Sequence, residues 1–459
     1  MMNISSWYRG RRTSVVVACG SIVLGACDIN NELLQPQQPG VISPGAVASA
    51  TAANALWTGA IGRWQSSMNG GEGIWNWEGL FTDEMRSVDT FTQRQNDDQR
   101  NLQTDDGVLL GVYNGAQQAR GRARDAINAL LAYEPTPTGK QHVGEMYLMM
   151  GYIEMALSQS FCNGIPFGET VDGVPQYTVP VTDADGFKLA IARIDTALTY
   201  LTGTDAASLN IKYAALVTKA RAQADLADFA GAAATVASVP TNFQYNFTFS
   251  QTTTSNAWWS LGPSRKGYSA GDSTDVGGRI VNAIPFARLN DPRVSITDTH
   301  TKAEDNVSDF VQTNNWGRED PVPALSGIDA RLIEAEAKLQ ASDIPGMMTI
   351  LNTLRASPQT LGNFKVVAMA ALPTPATQDD AITLFFREKA LWQFQRGYRM
   401  DDLRRLVRQY GRAQDTVFPS GAFTSSGAPA GQYGSQVAFP VPDYEKTNPN
   451  FHGCLDTKA

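Results

Sequence analysis

The sequence predicts an all-α, mostly helical fold: tetratricopeptide-like helix pairs interrupted by long irregular loop insertions. Three observations carry that expectation. Apolar residues recur at helical spacing through most of the 459 residues. Two stretches repeat a helix–turn–helix pattern, with small residues where the helices would meet. One stretch, 241–325, has no helical period and is rich in Thr, Ser, Asn, Gly and Asp. Insertions of that length inside a compact fold usually carry function.

Bulk composition narrows the function classes. At 42% apolar and 18% charged, the chain can bury a sizeable core. Its net charge is −8, and removing residues 1–26 takes away three Arg and no acid, leaving −11. An acidic chain without a Lys/Arg run is a poor nucleic-acid binder. His142, His300 and His452 are far apart, so no sequence-local metal motif is present and no cofactor is expected.

The N-terminus reads as a processing signal. Arg9, Arg11 and Arg12 form a basic region, and Thr13 to Gly25 is an apolar run too short to span a bilayer. It ends Leu24-Gly25-Ala26-Cys27, which resembles a bacterial lipobox. Small residues there let a peptidase approach the backbone, and the Cys27 thiol carries the lipid. Residues 1–26 are thus a lipoprotein signal peptide, and 27–46, rich in Pro, Gln and Asn, are a lipid-anchored tether. Two or more acyl chains at Cys27 would hold the protein to a membrane. Cys162 and Cys454 then remain. Outside the cytoplasm they are expected to pair as a disulfide tying the tail back to an early helix, the alternative being two separate buried thiols.

The body, 47–459, is expected to form a single helical domain. Leu56, Trp57, Ile61 and Trp64 mark a first helix over 47–68. Gly70, Gly71 and Gly73 then open a loop that carries Trp75-Asn76-Trp77. Helix pairs follow at about 108–162, 183–240, 328–356 and 382–411. In the first, Arg120, Arg122 and Arg124 are expected to face mostly solvent, and Pro135 to Gly139 make the turn. Thr182 or Asp183 caps the next helix; Asp183-x-Asp185-Gly186 hints at calcium, but Phe187 and Ile194 stand where an EF-hand needs oxygens. In the 208–239 pair, Ala215, Ala220 and Ala224 permit close helix approach, and Asp228-Phe229 makes the turn. The acidic doublets Asp97-Asp98, Asp105-Asp106 and Asp379-Asp380 read as solvated.

The densest apolar block is Ile382 to Tyr410, broken at Gly397. Trp392 and the Arg/Asp cluster around Leu403 read as buried packing plus ion pairs at a helix junction. Arg387-Glu388-Lys389 followed by Gly397-x-Arg399-x-x-Asp402-Leu403-Arg404-Arg405 resembles the C-terminal signature of the SusD/RagB family. Trp392 and Arg396 depart from it, standing where the family often has Glu. Arg331-Leu332-x-x-Ala335-Glu336-Ala337, Leu351-Asn352-x-x-Arg355 and the closing Phe439-Pro440-Val441-Pro442-Asp443-Tyr444-Glu445-x-x-Asn448-Pro449-Asn450 resemble the same family.

The resemblance implies a non-catalytic outer-membrane lipoprotein, held by lipid at Cys27 and facing the exterior. It would bind an oligomeric nutrient, oligosaccharide for most of the family and peptide for some, and partner a SusC-like TonB-dependent transporter. A sugar presents apolar C–H faces and a rim of hydroxyls, which flat aromatic rings and amide or charged groups can match. The corresponding loops here carry Trp75, Asn76, Trp77, Trp258, Trp259, Tyr268 and Trp316, which are the expected ligand contacts. Trp77 and one of Trp258 and Trp259 have an equal alternative as core anchors for irregular loops. Two rival functions remain: a helical-repeat scaffold with no ligand of its own, and a lipid-anchored hydrolase. The second would use paired carboxylates or Ser269 of Gly267-Tyr268-Ser269-Ala270-Gly271, although loop sequence flanks that motif on both sides.

Overall fold

A computed structural model describes residues 48–171, 174–271, 280–423 and 431–459. Cys27, the signal peptide and the tether lie outside the described residues. Helices dominate, and each of the long ones starts where a short polar side chain can take up free N–H groups. Ser49 opens α1 (Ala50–Asn69), Asp106 opens α4 (Gly107–Tyr133), and Thr136 opens α5 (Pro137–Ser160) with Pro137 in its first turn. Between α1 and α4 lie two short helices, α2 (Ile74–Phe81) and α3 (Thr92–Asp98). Thr182 caps α6 (Asp183–Tyr200), Asp205 caps α7 (Ala206–Asp225), and Asp228 caps α8 (Phe229–Val236). Asp183 ion-pairs with Arg404 at 2.7 Å, so this segment is a helix start and not a calcium loop.

The helices stack in series. α1 lies on α4, α4 on α5, α5 on α6, α6 on α7 and α7 on α8. Gly151 is what lets α5 approach α6 so closely, because a Cβ there would sit 2.9 Å from the Ala190 carbonyl oxygen. Past 240 the chain changes character: short strands joined by turns, with one small helix, α9 (Ala257–Trp259), which widens into a single π-type turn over Ser260–Ser264. The helical stack resumes with α10 (Gly327–Gln340), which packs on α8, and with α11 (Ile344–Ala356) and α12 (Gln378–Trp392), both packed on α10. Gly397 separates α12 from α13 (Arg399–Arg408).

The end of the chain returns to its first half. Cys162 and Cys454 form a disulfide across 292 residues, with their Cα atoms 6.0 Å apart. Cys162 N–H also donates to the Phe439 carbonyl at 2.8 Å, and Leu455 N–H to the Asn163 carbonyl at 2.7 Å. The Pro-rich closing segment is thereby fastened to the exit of α5.

Charge is buried more deeply than the sequence suggests. Arg120 is interior, paired with the fully buried Glu154 at 3.1 Å, so it does not face solvent as expected; Arg122 does. Asp97 and Asp98, expected to be solvated, are also interior, where Asp98 Oδ2 accepts from Ser87 N–H at 2.9 Å. The junction block is ionic as well as apolar: Lys389–Asp402 at 2.6 Å, Arg405–Glu336 at 2.5 Å, and Arg396–Asp329 at 2.6 Å.

Several carboxyls in this interior are pushed toward their protonated form. Burial pushes Glu84 up to about 8 and Glu78 up to about 7, and raises Asp97 and Asp98 in the same direction. A carboxyl raised in the folded state binds more protons than its unfolded counterpart. Its stabilising contribution is complete below the unfolded value near 4.5 and is lost as pH rises through the folded value. Melting temperature is therefore expected to fall from pH 5 to pH 8, and Glu84→Gln to flatten part of that slope. At pH 8 the variant should melt above the parent, by about 1 °C per kcal/mol in a chain of this size. Parallel pH profiles for the two proteins would refute the assignment.

Candidate functional site

The structure takes most of the predicted ligand contacts out of solvent. Trp75-Asn76-Trp77 is not on a loop: it lies in α2, every residue of which is buried. Trp75 stacks on Phe247 at 5.2 Å, Asn76 Nδ2 donates to the Gly70 carbonyl, and Trp77 Nε1 donates to Glu72 at 3.1 Å. Trp258 and Tyr268 are interior too, and Trp316 packs edge-on to Phe364. An aromatic side chain removes 150–250 Å² from water, and irregular loops have few other anchors. These six residues, Trp75, Asn76, Trp77, Trp258, Tyr268 and Trp316, are packed into the core and not presented on open loops, which for Trp77 and Trp258 matches the alternative expected from sequence. Trp259 alone keeps a partly open ring, with the Arg318 guanidinium 5.2 Å from its centre.

An open aromatic surface forms beside them from a residue the sequence did not single out. Phe91, 45% exposed, precedes α3. Two guanidiniums flank its ring: Arg94 at 5.0 Å from its centre and Arg265 at 4.7 Å. Neither cation is free to wander. Arg94 is clamped by Asp89 at 2.7 Å and Glu72 at 2.5 Å, and Arg265 by Glu304 at 2.6 Å. Arg265 ends the helical segment that carries Trp259, so one short element contributes to both aromatic–Arg pairs. Lys266 Nζ reaches Thr301 Oγ1 at 3.3 Å, tying in the exposed hairpin strand Ile296–Lys302. The result is a fixed aromatic ring bordered by donors and acceptors whose positions are set before anything binds.

Ser269 is not arranged for nucleophilic attack. It sits in the middle of the strand Tyr268–Ala270, opposite Arg86, where a nucleophile elbow would need a strand-to-helix turn. Its Oγ accepts from Val311 N–H at 3.0 Å and donates to the Val311 carbonyl at 3.2 Å. Among the described residues no group of three His, Cys, Asp or Glu side chains is placed to hold a metal ion. Nor is any described helix long and apolar enough to cross a membrane.

No sequence-family profile matches the chain, and no curated protein resembles it in sequence. Solved structures resemble it in fold. A SusD-like carbohydrate-binding protein from Bacteroides vulgatus superposes with a TM-score of 0.63 at 11% identity, covering 88% of this chain and 97% of its own. A SusD homologue from Bacteroides thetaiotaomicron gives 0.59 at 16% identity, covering 88% and 97%. A SusD/RagB-family protein from the same organism gives 0.57 at 14%, covering 87% and 94%. The chain has the SusD-like fold.

Proposed function

We propose that this SusD-like chain binds an oligosaccharide at the Phe91 surface and hands it on without breaking a bond. It is anchored by lipid at Cys27 to the bacterial outer membrane, faces the exterior, and delivers its ligand to a SusC-like TonB-dependent transporter. The observation that carries the binding role is a pre-positioned ring with guanidinium and carboxylate neighbours, held open on a fold whose solved examples include a carbohydrate-binding protein. The ring matches the C–H face of a pyranose, and the charged rim matches its hydroxyls. The lipobox supports the anchor, and the acidic chain without a basic run argues against a nucleic-acid partner.

Affinity electrophoresis through gels containing neutral and acidic polysaccharides tests the binding role. Migration is expected to be retarded by at least one polysaccharide, and Phe91→Ala to weaken that retardation about tenfold. Cys27→Ala should release the protein from membranes while leaving retardation unchanged. A chain that co-purifies with a transporter but is retarded by nothing in the series would be a scaffold.

A further inference from the structure

A second opening lies well apart in sequence from the Phe91 surface. It is an open groove of about 550 Å³ between the first two turns of α7 and the segment 240–246. Its construction follows from two periodicities. Helical spacing sets Ala206, Asn210 and Tyr213 on one side of α7. Strand alternation sets Gln244 and Asn246 outward while Tyr245 and Phe247 enter the core. Tyr213 meets Phe243 edge-to-face at 5.6 Å, giving an aromatic floor.

The walls are braced. Gln244 Nε2 donates to the Thr360 carbonyl at 2.6 Å, and its Oε1 accepts from Gly362 N–H at 2.8 Å, so it spans the turn of the hairpin 359–366. Asn210 Nδ2 donates to the Gln244 carbonyl at 2.8 Å. The side chains of Asn242 and Asn246, by contrast, make no hydrogen bond among the described residues. Asn246 Oδ1 is shielded and lacks a partner.

We propose that this groove is a second saccharide site, selective for uncharged sugars. Its lining joins amide side chains to an aromatic floor and contains no Lys, Arg, Asp or Glu. An amide both donates and accepts, as do paired sugar hydroxyls. An acidic glycan would need cations that the lining does not supply, and an acyl chain would leave the amides unpaired. The Phe91 surface is the opposite case, an aromatic ring set among ions. The groove's occupancy does not depend on that surface.

Saturation-transfer NMR on the mature chain tests this, using gluco-, xylo- and manno-oligosaccharides as neutral probes and oligogalacturonate as the acidic one. Neutral probes are expected to bind Phe91→Ala still. They should weaken about tenfold in Tyr213→Ala and in Ala206→Trp, whose indole would fill the groove from an exposed position. Oligogalacturonate should not displace them. If Tyr213→Ala fails to fold, Ala206→Trp decides. Absence of transfer to every neutral probe in the Phe91→Ala background overturns the proposal, as does transfer unchanged by the groove variants or equal competition by oligogalacturonate. Neutral-probe transfer that survives in both groove variants and is lost only in Phe91→Ala overturns the groove and counts for the first surface.

Discussion

Asp329→Ala is expected to destabilise the fold by about 3–5 kcal/mol, the usual consequence of stranding one member of a buried ion pair. Asp329 takes more contacts than any single cap provides. Its Oδ2 accepts from Arg396 Nη2 at 2.6 Å, from Ser326 N–H at 2.8 Å and from the Tyr398 hydroxyl at 3.1 Å. Its Oδ1 accepts from Gln393 at 3.0 Å. Burial pushes this carboxyl up, but the Arg396 guanidinium, with Gln393 and Ser326, more than offsets it and holds it below the usual carboxylate range. Without Asp329, Arg396 stays charged in a site with no solvent, and α10 loses its capping box. Urea unfolding measures the effect. The double variant Asp329→Leu/Arg396→Met should be less damaged than the sum of its parts, because no orphan charge remains. Additive losses would show that the pair is not coupled.

Gly397→Ala is expected to be of similar severity, for a different reason. Gly397 has φ +70°, a region that costs a β-carbon roughly 1–2 kcal/mol. The added carbon would also fall on the Trp75 indole, at Cδ1 and Nε1. Trp75 cannot retreat easily, being buried and stacked against Phe247. Overpacking of this kind costs typically 1–3 kcal/mol, so the combined loss should be about 3 kcal/mol or more. Gly397→Asn separates the two contributions, since Asn tolerates positive φ but still collides with the ring. Comparable melting temperatures for the two variants would assign the damage to the collision. An unchanged temperature in both would mean that Trp75 has room to move.

The helical stack could be read in advance because its stripes are long and its starts are marked by Ser, Thr and Asp. The loops were harder. α2 reads as loop in the sequence because three glycines precede it and because all eight of its residues are buried, which erases the polar face that reveals a surface helix. The doublet Asp97-Asp98 reads as solvated because adjacent acids usually are, and only tertiary packing puts them inside. Phe91 gave no signal of its own. A single aromatic among polar residues acquires meaning only when Arg265, distant in sequence, is brought to its ring. The groove was partly visible: the alternation Gln244-Tyr245-Asn246-Phe247 marks a strand with an amide face, although α7 and the hairpin at Gly362 are what enclose it.

Synthesis order gives the Cys162–Cys454 link a further meaning. Cys454 latches onto a helix end made 292 positions earlier. The early helices can stack before the link exists, and the chain stays unlatched until Cys454 has been made and the two thiols are oxidised. Premature termination just short of Cys454 would spare nearly every helix and remove the clasp, leaving a frayed end for quality-control proteases to find.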